Sequence, residues 1–225
     1  MWLFALVVGC APSSENQRET SGEPSPLRFA LPLAEPERFS ARLGVDHDPI
    51  VHEGALGRAL CADYLGRAFP WCYDEHDGTD LVLDGAFEAM DDGSSPVIAA
   101  ADGVVLSVED GQYDRCHVDG ADVTCDGYPV IANQVILEHE GGVRTKYWHL
   151  KRGSVAVAVG DVVARGDALG LVGSSGYSSF PHLHFEVDDG ADAIIDPFAG
   201  PRSQPTSWWC DQGEDEGLPG PCDAL

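Results

Sequence analysis

Apolar positions in this chain alternate with polar ones or form short runs, and they do not recur at helical spacing. Side chains at i and i+2 of a strand share a face, so this pattern predicts β structure. Residues 81–83, 97–100, 104–108, 134–139 and 143–149 read as strands. In Gln134-Val-Ile-Leu-Glu-His139 both faces are mostly apolar, which predicts a central strand. His139 shares a face with Val135 and Leu137 and reads as structural. Gly141-Gly142 between two strand runs is a hairpin signal. In the run 182–187, Leu183, Phe185 and Val187 fall on one face, and His182 and His184 on the other. No internal repeat is evident.

Composition agrees with a loop-rich β protein. The chain has 225 residues with 26 Gly and 15 Pro, and a 44% apolar fraction that can support one core. Thirteen basic residues against 38 acidic give a net charge of −25. That excludes nucleic acid as a partner, because binding it requires Lys and Arg to neutralise phosphates. It also excludes adhesion to an anionic membrane surface by charge alone.

The N-terminal run Met1-Trp-Leu-Phe-Ala-Leu-Val-Val-Gly-Cys10 resembles the end of a bacterial lipoprotein signal, in which the cysteine is acylated. The run is short and no Lys or Arg precedes it. The reading is a partial signal over 1–9, a membrane anchor at Cys10 and a disordered tether over 10–37, whose stretch 11–27 is almost devoid of apolar residues. The six remaining cysteines fall as the neighbours Cys61/Cys72, Cys116/Cys125 and Cys210/Cys222. Three local disulfides are the simplest pairing, each worth roughly 2.5–3 kcal/mol on a chain-entropy model, and they indicate an exported protein. Zinc cysteines are disfavoured because no Cys-x2-Cys spacing occurs. Residues 109–128 read as an inserted, disulfide-closed loop with His117 at its surface. Trp208 and Trp209 read as packing residues. In Gly44-Val-Asp-His-Asp-Pro49, His47 between two aspartates reads as a turn with capping carboxylates rather than a second metal site.

Three stretches carry candidate chemistry. His182 and His184 leave one side of a strand after a Gly/Ser loop and a proline. His76 stands four residues before Asp80, and a turn at Gly78 can bring imidazole and carboxylate together. Lys146-Tyr-Trp-His149-Leu ends another strand. Two His and one Asp suit zinc and leave a fourth position for water. Spacing alone permits either His182 or His184 as the second histidine ligand.

In this order the stretches resemble the lysostaphin-type zinc endopeptidases, a family of peptidoglycan hydrolases whose pattern is His-x3-Asp, then Tyr-x-His-Leu, then Pro-His-Leu-His-Phe-Glu. Val97-Ile-Ala-Ala-Ala-Asp-Gly-Val104 and Val159–Gly170 also resemble the family's core, and the likeness covers roughly residues 70–200. The resemblance implies a mainly β fold with an antiparallel sheet or barrel-like core. It implies Zn2+ held by His76, Asp80 and His184, with His149 and His182 jointly serving as proton acceptor and oxyanion donor. It implies a domain over 71–200, preceded by an extension over 38–70 and followed by a disulfide-closed tail over 201–225. The implied substrate is the peptide cross-link of peptidoglycan, cut outside the cytoplasm, with membrane contact only through Cys10. Two other readings are a catalytically silent wall-binding or hydrolase-activating domain and a secreted bacteriolytic enzyme. Phe180 stands where the family often has glycine, which bears on substrate preference more than on activity.

Overall fold

The computed structural model describes residues 27–53, 57–93, 95–120 and 122–222. Among them the chain forms eleven strands and one short α-helix. In order these are β1 (Phe39–Leu43), β2 (Thr79–Leu83), α1 (Ala86–Asp91), β3 (Pro96–Ile98), β4 (Gly103–Glu109), β5 (His117–Asp119) and β6 (Asp122–Thr124). They continue with β7 (Gln134–Glu138), β8 (Arg144–Trp148), β9 (Val162–Val163), β10 (Ala168–Leu171) and β11 (His182–Asp188). Seven strands make one sheet in the order β1-β2-β11-β8-β7-β4-β9, antiparallel at every pairing. The expected mainly β, antiparallel architecture is present. The sheet is open rather than barrel-like, with β1 and β9 as its edges.

β11 lies between β2 and β8, and every one of its residues is buried. Leu183, Phe185 and Val187 enter the core together with Leu81, Leu83, Val135, Leu137 and Tyr147. The Phe185 ring meets Tyr147, Phe29 and Trp209 at centroid distances of 5.4, 6.0 and 5.5 Å. Fully burying one such side chain contributes about 1.5–3 kcal/mol. The opposite face of β11 carries His182, His184, Glu186 and Asp188, all buried, so polar groups are held away from water there. Such groups require partners.

The predicted hairpin joins β7 to β8 through Gly141 and Gly142, whose φ values of +84° and +82° favour glycine. His139 is structural, as its face predicts. Its Nδ1–H donates to Asp102 O at 2.8 Å, and its Nε2 lies 2.7 Å from Thr145 Oγ1. The cysteines pair as neighbours: Cys61–Cys72, Cys116–Cys125 and Cys210–Cys222. The second closes the β5–β6 excursion. Buried Arg42 donates to the carbonyls of Gly217 and Asp215 at 2.7 and 2.8 Å and so ties the C-terminal tail to β1. Asp46 and Asp48 accept backbone N–H groups of Asp48 and Ile50, and His47 pairs with Asp196 at 2.8 Å, which is the capped turn expected there.

The expected tether spans 10–37; within it Phe29, Leu31 and Leu33 are core residues, and Phe29 and Leu33 bridge to Trp209 and Val97. Alternation over 29–33 is too short to stand out in sequence, and only the strands it covers reveal its role. The signal segment, Cys10 and tether residues 11–26 lie outside the described residues. No helix among the described residues is long and apolar enough to cross a membrane.

Burial lowers the His139 pKa from its ordinary value, against the opposing pull of Asp102. The neutral ring is therefore the folded form. Its contribution to stability is fully present above the unfolded value of about 6.5 and is lost as pH falls toward the lower folded value. Melting temperature followed from about pH 7 to 5 should fall in the parent chain. The fall should be shallower in His139→Gln; an unchanged slope would assign the pH dependence to other groups.

Candidate metal centre

Strand register assembles the site. His184 on β11 stands directly opposite Asp80 on β2 and Trp148 on β8. Cross-strand partners share a face, so the imidazole and the carboxylate project together. His184 Nδ1 lies 2.8 Å from Asp80 Oδ1. His76, in the turn before β2, brings Nε2 to 3.1 Å from Asp80 Oδ1 and 3.2 Å from His184 Nδ1. The spacing permitted either His182 or His184; the structure places His184 in the converging group and His182 Nε2 further out, 3.4 Å from Asp80 Oδ1.

A buried carboxylate among three imidazoles requires positive charge. The His76 Nδ1 lies 2.7 Å from Gly44 O, and a carbonyl can only accept, so Nδ1 carries a proton and Nε2 points toward Asp80 and His184. Asp80 adds an acceptor. Burial works to raise the Asp80 carboxyl, but His76 and His182 outweigh it and hold it well below the usual carboxylate range. Burial likewise opposes charge on His184, yet Asp80 and Glu186 push its pKa up to about 9. The pocket thus calls for positive charge. Donor atoms around zinc at about 2 Å stand roughly 3.3 Å apart, close to the separations seen here. The residues present fit a divalent cation such as zinc.

His149 arrives by a different route. Trp148 shares the face of His184, so a regular strand would send residue 149 to the opposite side. His149 instead has φ of +65°, an uncommon conformation for a non-glycine residue. This breaks the alternation and turns the ring back toward the site, where its centroid is 4.7 Å from that of His182. Its Nδ1–H donates to Ser175 O at 2.6 Å, and His182 Nδ1–H donates to Phe180 O at 2.7 Å. Both rings therefore keep Nε2 free of the backbone. Burial, then the neighbouring His182 and His184, lowers the His149 pKa well below its ordinary value and keeps it neutral. All five predicted site residues, His76, Asp80, His149, His182 and His184, come together and are buried.

Three supporting residues were not predicted. Tyr73 stacks on His76 at 4.1 Å and its hydroxyl donates to Asp80 Oδ2 at 3.2 Å, leaving Oδ1 for the centre. Glu186 Oε2 lies 3.7 Å from His184 Nε2, and Glu186 is itself ion-paired with Lys146. A carboxylate behind a histidine fixes its ring orientation. Period-2 spacing from His184 carried a signal for Glu186; Tyr73 left none, because its role depends on how the turn folds back. Two cavities meet at the site. One, of about 910 Å³, is lined by His76, His149, His184 and Glu186; the other, of about 390 Å³, by Asp80, His182, Phe69 and Phe180.

The model for peptidase family M23 matches residues 75–197. The chain belongs to peptidase family M23. An uncharacterized metalloprotease of Buchnera aphidicola is 33% identical over 97 residues, 41% of this chain and 20% of that protein. The peptidoglycan DD-endopeptidase ShyB of Vibrio cholerae is 36% identical over 69 residues, 31% of this chain and 16% of that protein. The matched M23 stretch thus spans a fifth or less of these curated relatives. The catalytic domain of lysostaphin from Staphylococcus simulans superposes with a TM-score of 0.42 at 22% identity, covering 72% of this chain and 91% of that domain.

Gly78 permits the close approach on which the M23 centre depends. A Cβ there would meet His184 Cε1 and Nε2 at 2.7 Å and Phe185 O at 2.8 Å. Gly78→Ala should destabilise the fold by about 1–3 kcal/mol and displace the His184 ring. Metal analysis after dialysis should find the variant depleted relative to the parent. Equal metal retention and equal melting temperature would show that the turn has room to spare.

Proposed function

We propose that this chain is a zinc-dependent endopeptidase that hydrolyses the peptide cross-links of bacterial peptidoglycan. The observation that carries this reading is the convergence of His76 Nε2, Asp80 Oδ1 and His184 Nδ1 in one buried cluster beside two further histidines. His76, Asp80 and His184 would hold the metal. Zinc in that position supplies Lewis acidity toward a peptide carbonyl and lowers the pKa of a bound water toward ~7.

The remaining work falls to the chain's own groups. His149 is neutral, and its Nε2 faces the site as a proton acceptor. His182 holds Nδ1–H against Phe180 O, so a proton taken at Nε2 can be donated from that same atom to an oxyanion or a leaving amine. The two act jointly. Tyr73 and Glu186 hold Asp80 and His184 in position. A silent wall-binding domain would need none of this arrangement, and the full set of five residues favours the enzyme. The disulfides support an oxidising compartment outside the cytoplasm. Anchorage through Cys10 completes the proposal.

The purified chain should contain one zinc, and Asp80→Ala should lose it; zinc retained at parental affinity in that variant would remove Asp80 from the ligand set. His149→Ala should keep zinc and melting temperature while cleavage of purified sacculi drops by about 10²–10⁴-fold. Lower stability with unchanged turnover per folded molecule would make His149 a packing residue instead.

A further inference from the structure

Arg58 precedes the part of the chain that matches the M23 family, yet it lines both cavities that meet at the metal centre. Among the described residues it is the one Lys or Arg on either wall. The larger cavity carries four carboxylates, Asp74, Glu75, Asp77 and Glu186, beside four histidines. In a chain with three times as many acids as bases, an arginine has carboxylates in abundance to pair with. Arg58 instead donates from a terminal nitrogen to the Tyr177 hydroxyl at 2.7 Å, with its guanidinium 5.9 Å from that ring's centroid. No carboxylate of the described residues forms an ion pair with it, and its side chain is exposed.

Its backbone is not free to drift. The Arg58 carbonyl accepts the Asp74 N–H at 3.1 Å, and the Cys61–Cys72 disulfide closes the loop that follows. Gly57 packs against the His52 backbone, where a Cβ would come within 2.7 Å. Tyr177 is steadied from the other side by Asp122 at 3.2 Å. The guanidinium is therefore held by built structure between the cavities, with donors unspent.

We propose that Arg58 is a specificity-determining residue that binds a free carboxylate on the substrate residue next to the scissile amide. The inference rests on the peptidase reading above and names its substrate class. One cavity contains His76 and His184 and the other Asp80 and His182, so a peptide passing through both places its scissile amide at the metal centre and its neighbouring residue under Arg58. A guanidinium fork matches one carboxylate bidentately. The four carboxylates of the larger cavity disfavour ligands of higher negative charge. Cross-links formed through the side-chain amine of a diamino acid carry such a carboxylate; glycine bridges do not.

The test uses the full zinc-loaded chain and two fluorescently labelled muropeptide dimers. One has a free carboxylate beside the cross-link amide, and the other a carboxamide at the same atom. Binding is read by anisotropy and cleavage by product analysis. The parent chain should bind the carboxylate dimer about 10–100-fold more tightly. Arg58→Gln should erase that difference while leaving carboxamide binding and melting temperature unchanged, and Arg58→Lys should restore part of it. Equal binding of the two dimers by the parent, no binding at all, or equal weakening of both in Arg58→Gln overturns the proposal. Discrimination in binding without cleavage of either dimer would sink the peptidase reading and leave the carboxylate site standing. Equal cleavage with equal binding would do the reverse.

Discussion

The register of β11 between β2 and β8 is the constraint on which the rest of this structure depends. It sets His184 opposite Asp80 on one side and Trp148 on the other. A slip of one residue would carry His184 into the apolar core and Phe185 into the candidate site. The apolar face resists that slip. Leu183, Phe185 and Val187 are fully enclosed, with aromatic partners from both ends of the described chain. Core packing thus aligns His184 with Asp80, and the candidate site inherits its precision from apolar burial.

Buried histidines have two nitrogens to satisfy, and the chain handles them by one device. His76, His149 and His182 each give Nδ1–H to a backbone carbonyl. The carbonyls fix the tautomer and aim Nε2 inward. His184 is the exception: its Nδ1 faces Asp80, and Nε2 looks toward Glu186. Behind Glu186 stand Lys146 and then Asp188, so the polar face of β11 is neutralised by an alternating series of charges. That series explains how four polar residues can share one buried face without unfolding it.

Segments outside the family-matched region complete the molecule. Residues 29–33 and Trp209 seal the core, while Arg42, buried against Phe198, holds the C-terminal tail. The loop bearing Gly44 supplies the carbonyl that fixes His76, and Tyr73 braces Asp80. The N-terminal part of the chain is thereby structurally continuous with the centre rather than an appendage to it.

The alternation at 182–187, the doubly apolar run at 134–139 and the Gly141-Gly142 turn were enough to predict β11, β7 and the β7–β8 hairpin, because strand geometry is local. Even-numbered polar positions around His184 likewise showed which side chains share its face. Neighbouring cysteines indicated their own pairing, since short loops close at little entropic cost. The choice between His182 and His184 could not be read from spacing, because both project from one face and only the opposing Asp80 distinguishes them. Nor did the sequence reveal that His149 escapes its strand's alternation, which depends on a left-handed backbone held by a carbonyl 26 residues away. Tyr73, Arg58 and the core role of Phe29 were equally hidden. Each acts through contacts distant in sequence, and only the folded chain brings those partners together.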